Sequence, residues 1–262
     1  MKIVLYQVDA FTDSLFGGNP AAVCPLREWL TDELLQKIAE ENNLSETAFI
    51  VPKGGGYTIR WFTPLSEVNL CGHATLASAY VIFHFLDHEG REIIFQSKSG
   101  ELRVMKENDV LTLNFPAYKV IPVAPDSSME SCFSVEPVSI LTGKEDLLFI
   151  YENEIQIQNL EPDFVRIKKL KYRGVIVSAK GDAVDFVSRF FAPAFGVDED
   201  PVTGSAHSLL TPYWGKILNK RVLSAKQLSK RGGNLTCSLE DDRVFISGKA
   251  VLYLKGEIEL PD

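Results

Sequence analysis

The chain has 262 residues, 45% apolar content and a formal net charge of -8, a size that allows two modest domains. The negative charge argues against nucleic acid or an anionic membrane surface as a partner. No apolar run approaches the roughly 20 residues that span a bilayer, and the first ten residues lack the layout of a signal peptide. Four scattered cysteines without a CxxC pair are typical of free thiols in a reducing compartment. We therefore expect a cytoplasmic protein.

Short strands alternate with a few helices along the chain. The first ten residues predict a strand. Thr31 can cap a helix that carries Asp32 and Glu33 in its first turn, where negative charge is favourable. Helical spacing of apolar residues predicts a long helix over 72–86. Further strands are predicted at 45–51, 57–63, 93–97, 102–106, 110–115 and near 251–260, with glycine-rich turns between several of them.

A weak internal repeat divides the chain. The segments RWFTP (60–64) and CGHA (71–74) recur in the same order as RFFAP (189–193) and TGSA (203–206). Two more pairs keep this order, 48–54 with 175–181 and 100–109 with 233–242. Repeats of this kind indicate equivalent folding units. We therefore predict an α+β protein of two similar halves, 1–115 and 116–262, joined through the proline-rich segment 116–125. The final strand, near 251–262, is expected to return to the first half.

Each half has a glycine where a strand gives way to a helix. A helix N-terminus offers unpaired N–H groups and partial positive charge, which attract a carboxylate. Gly72 and Gly204 open these two helices, and glycine allows a close approach of the backbone to a ligand. His73 and Ser205 follow them as polar residues. The repeat predicts that both helix N-termini face one cleft between the halves, a favoured ligand site.

Two carboxyl groups have no equivalent in the other half. Glu46 is the first residue of an otherwise apolar strand, and the repeat aligns it with Arg173 in the second half. Partial burial there raises a carboxyl pKa, as suits a proton carrier, although a helix-to-strand junction residue bonded to a nearby N–H is an open alternative. Asp200 lies four residues before Gly204, where Val68 is its counterpart. It belongs to an acidic run that could simply be solvated, but Pro201 holds it in an extended conformation.

Cys71 is a further candidate, because thiols act as bases in some racemases. That chemistry needs a second thiol across the cleft, and the second half has Thr203 at the matching position. His84 and His88 are four residues apart on the predicted helix, but the glutamate of the zinc-protease motif is missing. We predict no metal site there.

Several motifs together resemble the PhzF-like (phenazine biosynthesis) family in order and spacing. They are DAFT (9–12), GNPAAV (18–23), SETAF (45–49), RWFTP (60–64), CGHAT (71–75) and EDPVTGSAH (199–207). The resemblance implies the diaminopimelate epimerase-like fold, in which two pseudo-symmetric halves each form a strand-rich barrel around a central helix. It also implies a homodimer and no cofactor.

The resemblance also assigns roles to residues. The phenazine enzyme of the family moves a proton within a dihydroxylated cyclohexadiene carboxylate. Its glutamate base falls on Glu46, its aspartate on Asp200 and its histidine on His73. Its glycine and serine contacts fall on Gly72 and Ser205. The related epimerases use two cysteines, and the second is absent here.

The predicted function is therefore a cofactor-independent isomerase that moves a proton on a small, possibly cyclic, carboxylate. Glu46, Asp200 and His73 are the candidate catalytic residues, and Gly72, Gly204 and Ser205 are the candidate substrate-binding residues. Two alternatives stay open. One is a racemase or epimerase that uses Cys71, and the other is a non-catalytic carboxylate-binding protein.

Overall fold

The computed structural model describes residues 1–124 and 126–260. It contains two compact units, one formed by Met1–Asn114 with Ser247–Asp262 and the other by Phe115–Ile246. Pro125, the last residue of the predicted crossing segment, lies outside the described residues. So do Pro261 and Asp262, with which the predicted final strand ends.

Strands dominate the described residues. In chain order they are β1 (Lys2–Ala10), β2 (Asn19–Pro25), β3 (Glu46–Lys53), β4 (Gly56–Phe62), β5 (Glu67–Val68), β6 (Glu92–Ser97), β7 (Gly100–Glu107), β8 (Val110–Pro116), β9 (Ile121–Pro122), β10 (Ser139–Gly143), β11 (Asp146–Ile150), β12 (Gly174–Lys180), β13 (Phe186–Ala192), β14 (Val197–Asp200), β15 (Val222–Gln227), β16 (Gly233–Glu240), β17 (Arg243–Gly248) and β18 (Ala250–Glu259).

Three helices exceed ten residues, among the described ones: α1 (Asp32–Asn42), α2 (Gly72–Phe85) and α6 (Gly204–Leu218). The shorter ones are α3 (Ser127–Glu130), α4 (Glu154–Asn159) and α5 (Phe164–Ile167), with a 3-10 turn at Pro193–Phe195. Thr31 caps α1 as predicted, because its side chain accepts from the Leu34 N–H. No helix in the described part of the chain is long and apolar enough to span a bilayer.

The strands of the first unit pair in the order β18–β1–β2–β3–β4–β6–β7–β8. The β2–β3 and β4–β6 pairs are parallel, and the other pairs are antiparallel. The short strand β5 adds to β4. The predicted triple-glycine hairpin joins β3 to β4, with Gly54 and Gly55 both at positive φ. Such a conformation matches the twist of adjacent strands and suits glycine.

The second unit repeats this topology. Its strands pair in the order β9–β10–β11–β12–β13–β15–β16, with β11–β12 and β13–β15 parallel. The short strand β14 adds to β13 as β5 adds to β4. Each unit therefore contains the same succession of parallel and antiparallel pairs, with the long helix after the short strand: α2 between β5 and β6, and α6 between β14 and β15. The α+β class and the two similar halves predicted from the sequence are confirmed.

An arginine clamp occurs at the same place in both units. The Arg60 guanidinium donates to both carboxylate oxygens of Glu67, each at 2.8 Å. Arg189 binds Glu199 in the same manner, at 2.7 and 3.0 Å. The two guanidinium groups lie 5.1 and 5.0 Å from the ring centres of Phe62 and Phe191 respectively. Bidentate pairing and stacking of this kind are specific to arginine, so the clamp is a second signature of the repeat.

The long helices α2 and α6 lie at the centres of their units. Ten residues of α2 and nine of α6 are buried. The spacing of apolar residues predicted a helix here, and the helix is buried on every side over its first two turns. A helix that is apolar all round belongs in a core, and barrel strands cover it here.

Strand register corrects the expected partner of Glu46. Thr47 lies opposite Phe62, and Val175 lies opposite the equivalent Phe191. Glu46 therefore corresponds to Gly174, not to Arg173. The error of one residue arose from matching 48–54 with 175–181 by their apolar residues, which does not reveal that the hairpins after the two strands differ in length. A Cβ at Gly174 would lie 2.3 Å from the Phe190 ring, so no side chain fits there without movement.

Candidate active site

Glu46 and His73 face each other in the first unit. Glu46 begins β3, where it lies beside Ala21 of β2. Its Oε2 is 3.2 Å from His73 Nε2, and the two side chains are 17% and 4% exposed. Both atoms are buried, and neither has another hydrogen-bonding partner among the described residues. A pair of buried polar atoms with only each other for contact is costly in a structural site and common in a functional one.

The other imidazole nitrogen is held by two neighbours. Asn19 Nδ2 lies 3.1 Å from His73 Nδ1, and Cys71 Sγ lies 3.5 Å from the same atom. Asn19 is fully buried at the start of β2. Sequence reasoning quoted Asn19 within a motif but gave it no role. Its signal was a polar residue at the head of a strand that is otherwise apolar.

The protonation of this cluster follows from its burial. Burial raises the pKa of the Cys71 thiol to about 11, and the nearby Glu46 carboxylate acts in the same direction. Cys71 is therefore protonated at neutral pH. Burial opposes a charge on His73, and the Glu46 carboxylate beside it counters burial and raises the pKa of the imidazole. Since the thiol is neutral, Glu46 is the partner that stabilises the imidazolium.

The N-terminus of α2 adjoins this pair. The helix begins at Gly72, and the side chain of its N-cap residue, Cys71, makes no capping hydrogen bond. The first turn therefore presents N–H groups and the positive end of the helix dipole beside His73. Such a position can receive a carboxylate.

Glu46, Cys71 and His73 are the group of side chains, within the described part of the chain, that could hold a metal ion. One ligand atom from each of Glu46, Cys71 and His73 lies within 4.8 Å of the other two. Oxygen, sulfur and nitrogen ligands of this kind suit zinc. Binding would require loss of the Cys71 proton, which the raised pKa of the thiol opposes.

Asp200 lies in a hydrogen-bonded turn of the second unit. It ends β14, and its Oδ2 accepts a hydrogen bond of 2.5 Å from Thr203 Oγ1. The Asp200–Thr203 turn leads directly into α6, which begins at Gly204 and whose N-cap Thr203 makes no side-chain capping bond. The side chain of Gln227 in β15 forms hydrogen bonds to the main chain of this turn. The sequence did not predict this residue. Its signal was a polar residue at an inward-facing position of an alternating strand.

Two of the three acids in the run that contains Asp200 are bound by other side chains, and Asp198 is exposed. Glu199 is bound by the Arg189 clamp, and Asp200 by Thr203. In the first unit Trp61 pairs with Val68, and in the second Phe190 pairs with Asp200. Val68 is therefore the counterpart of Asp200, as predicted.

Ser205 and Arg173 meet at the start of α6. Arg173 Nη2 donates to Ser205 Oγ at 3.2 Å. The same guanidinium binds both oxygens of Asp146, with Nε at 2.9 Å from Oδ1. Burial raises the pKa of Asp146, and Arg173 partly offsets that rise. Arg173 thus contacts Ser205, the second residue of α6, just as Glu46 contacts His73, the second residue of α2.

The six residues chosen from the sequence fall into two local groups. Glu46, Gly72 and His73 lie together in the first unit, and Asp200, Gly204 and Ser205 lie together in the second. That the two groups face one cleft stays a prediction.

Comparison with known proteins identifies the chain. The family described as "Phenazine biosynthesis-like protein" matches residues 8–256. The chain belongs to the phenazine biosynthesis-like family. An uncharacterized isomerase of Pseudomonas aeruginosa is 52% identical over 261 residues, which cover 99% of this chain and 100% of that protein. The human phenazine biosynthesis-like domain-containing protein is 39% identical, with 98% of this chain and 99% of the relative covered. The resemblance drawn from the motifs is confirmed.

Solved structures agree with this assignment. A PhzF-family protein of Enterococcus faecalis has a TM-score of 0.96 at 46% identity, and the match covers 99% of this chain and 100% of that one. A hydroxyproline epimerase of Agrobacterium vitis, with bound trans-4-hydroxy-L-proline, has a TM-score of 0.65 at 10% identity, covering 100% and 93% of the two chains. The second likeness shows the fold alone. Both place this phenazine biosynthesis-like protein in the predicted epimerase-like fold.

Proposed function

We propose that this protein is an isomerase that moves a proton on a small carboxylate-bearing metabolite. Glu46 takes and returns the proton, and His73 is its partner. The single observation that carries this proposal is the buried Glu46–His73 pair, in which Oε2 and Nε2 are 3.2 Å apart and neither of these two atoms has another hydrogen-bonding partner among the described residues. A carboxylate and an imidazolium together supply a proton acceptor and a proton donor.

A carboxylate substrate fits the surroundings of this pair. The N-terminus of α2 lacks a side-chain cap, and its N–H groups can bind a negative group beside the proton-carrying atoms. Asp200 contributes in the second unit as a positioning or proton-relay group, held by Thr203. We propose that the reaction needs no cofactor, and that the protein acts in the cytoplasm as a homodimer.

A cysteine-dependent epimerase is the alternative, and two observations weigh against it. The Cys71 thiol has a pKa of about 11 and is protonated at neutral pH. The residue at the N-cap of α6 that corresponds to Cys71 is Thr203. A two-thiol mechanism would need sulfur at both helix starts.

Solvent exchange tests the proposal directly. The dihydroxylated cyclohexadiene carboxylate implied by the family resemblance is incubated with the protein in D₂O, and proton NMR follows loss of its ring C–H signals and appearance of product. Catalysed incorporation of deuterium into a rearranged product is expected. Tight binding of this carboxylate without exchange would instead identify a binding protein. Elemental analysis of the same preparation tests independence from metal, since stoichiometric zinc would contradict it.

A further inference from the structure

Gln227 is a fully buried amide in a strand that otherwise alternates regularly. In β15 the inward positions are Leu223, Ala225 and Gln227, and the outward positions are exposed. A polar side chain among apolar inward positions costs free energy unless it is hydrogen-bonded. Its retention there calls for a specific set of partners.

All the side-chain hydrogen bonds of Gln227 go to the Asp200–Thr203 turn. Its Oε1 accepts from the Thr203 N–H at 2.8 Å. Its Nε2 donates to the Asp200 carbonyl at 2.7 Å and to Thr203 Oγ1 at 3.3 Å. The amide therefore forms hydrogen bonds to two main-chain groups of the turn and to one hydroxyl, through both its oxygen and its nitrogen.

These bonds decide where the Thr203 hydroxyl points. Because Gln227 Nε2 donates to Thr203 Oγ1, the hydroxyl oxygen accepts this bond through a lone pair that faces Gln227. Its own hydrogen is then available to Asp200 Oδ2, which lies 2.5 Å away. A directed O–H donor stabilises a carboxylate and fixes its orientation.

The first unit has neither part of this arrangement. Thr58 pairs with Gln96 and the equivalent Val187 pairs with Lys226, so the counterpart of Gln227 is Ser97. Ser97 Oγ binds its own hairpin, donating to the Gly100 carbonyl at 2.8 Å. The buried amide is therefore present in the unit that carries the acid, and both are absent at the matching positions of the other unit.

We propose that Gln227 is a positioning residue for Asp200, acting through the Thr203 hydroxyl. It fixes the direction of that hydroxyl and thereby holds the Asp200 carboxylate in one orientation at the start of α6. This proposal rests on the proposed function, in which Asp200 contributes to proton transfer.

Two single variants separate positioning from support of the turn. Gln227→Met keeps the side-chain length and removes all three bonds. Ser229→Ala is the matched control, because Ser229 Oγ donates to the Pro201 carbonyl of the same turn at 2.8 Å and not to Thr203 or Asp200. We expect Gln227→Met to lower kcat by about 10- to 100-fold with KM within about 3-fold, the range typical of a misplaced group. Ser229→Ala is expected to leave kcat within about 2-fold.

A double-variant cycle tests the route through Thr203. If Gln227 acts by directing the hydroxyl, Gln227→Met in a Thr203→Val background lowers kcat no further than Thr203→Val does alone. Independent, multiplying effects would overturn the proposal. An equal loss in Ser229→Ala would do so as well, since it would show that any damage to the turn suffices.

Two further measurements keep the outcome decisive. If Gln227→Met does not fold, Gln227→Glu retains the shape and the acceptor for the Thr203 N–H but removes the amide donor, and it should lower kcat in the same way. A crystal structure of the folded variant reports the Asp200–Thr203 contact without any assay. Retention of that contact in the variant contradicts the proposal, whereas absence of exchange in the parent protein contradicts only the proposed function.

Discussion

Glu46 Oε2 lies 3.2 Å from His73 Nε2. The two residues are held by different kinds of secondary structure. Glu46 is fixed by the strand ladder of β3, and His73 by the first turn of α2. Neither depends on a mobile loop for its position. Sites built on strands and helices hold reacting groups more closely than loops do, and each of the two can be tested by itself.

Replacement of Glu46 by Gln removes the proton-carrying carboxylate and keeps the size of the side chain. General acid–base groups contribute about 10²–10⁴-fold in rate, so turnover should fall by that order while ligand binding stays within a few-fold. Glu67→Gln is the control, because both glutamate side chains are 17% exposed and Glu67 binds Arg60 instead of His73. Proton exchange measured by NMR compares them. Exchange at the parental rate in Glu46→Gln would make Glu46 structural.

Asp200→Asn is expected to weaken activity less than Glu46→Gln does, with a mixed effect on rate and binding. The amide still accepts from Thr203 Oγ1, which lies 2.5 Å from Asp200 Oδ2, but it carries no charge and cannot relay a proton. Steady-state kinetics on the same probe give kcat and KM separately. A loss that exceeds that of Glu46→Gln would make Asp200 the main proton carrier.

Alkylation of Cys71 or its replacement by Ser distinguishes the isomerase from the cysteine-dependent epimerase. The thiol is neutral at pH 7, since burial raises its pKa to about 11, and Sγ lies 3.5 Å from His73 Nδ1. Cys71→Ser should therefore retain activity within about 10-fold, the effect of a small change beside the imidazole. A loss of 10⁴-fold or more would support a catalytic thiol.

His207 should make the second unit sensitive to acid. It is fully buried, its Nδ1 lies 2.9 Å from the Thr203 carbonyl, and burial lowers its pKa from 6.5 to about 4. The unfolded chain therefore binds a proton more readily than the folded chain does between these values. The resulting stability is fully present above pH 6.5 and is lost as pH falls towards 4.

His207→Asn removes this titration and is the variant to measure. From pH 7 to pH 5 the parent should lose about 2 kcal/mol of unfolding free energy through His207, and the variant should lose correspondingly less. Urea denaturation at both pH values supplies the numbers. Equal losses in the two proteins would show that His207 does not carry the acid sensitivity.

Arg189 is expected to matter more for stability than an exposed cation does. Besides its two bonds to Glu199, it donates to the carbonyls of Ile157 and Leu160 at the end of α4, at 3.2 and 2.8 Å. Arg189→Met leaves Glu199 and those carbonyls without a donor. The cost of breaking such a pair is about 3–5 kcal/mol.

Lys220→Met provides the comparison for Arg189→Met. Its amine binds Asp185 at 2.5 Å, but the Lys220 side chain is 54% exposed, and surface pairs contribute less than about 1 kcal/mol. Arg189→Lys should recover little, because an amine cannot reproduce the planar fork. Thermal unfolding ranks the three variants, and equal destabilisation by Arg189→Met and Lys220→Met would contradict the prediction.

The sequence was sufficient for the repeat and the long helices, because these depend on local patterns. Its motifs also supplied the six candidate residues, whose roles stay predictions. It was insufficient for contacts that form between distant segments. Gln227 and the Asp200–Thr203 turn are 24 or more residues apart, and no periodicity links them. The same limit explains why Glu46 was aligned with Arg173. The ladder pairs of Thr47 and Val175 fix the register, and that pairing is a tertiary property.

The pairing of β1 with β18 constrains the order in which the first unit can fold. Lys2 lies opposite Glu259 and Ala10 opposite Ala250, so β18, a strand of this unit, is made after the whole of the second unit. Closing so long a loop is slow, and strands that wait for a distant partner are exposed to wrong pairing. During synthesis the edge of β1 that pairs with β18 stays open until residues 250–259 have been made. A chaperone or a rapidly folding second unit would shorten the time for which that edge is open.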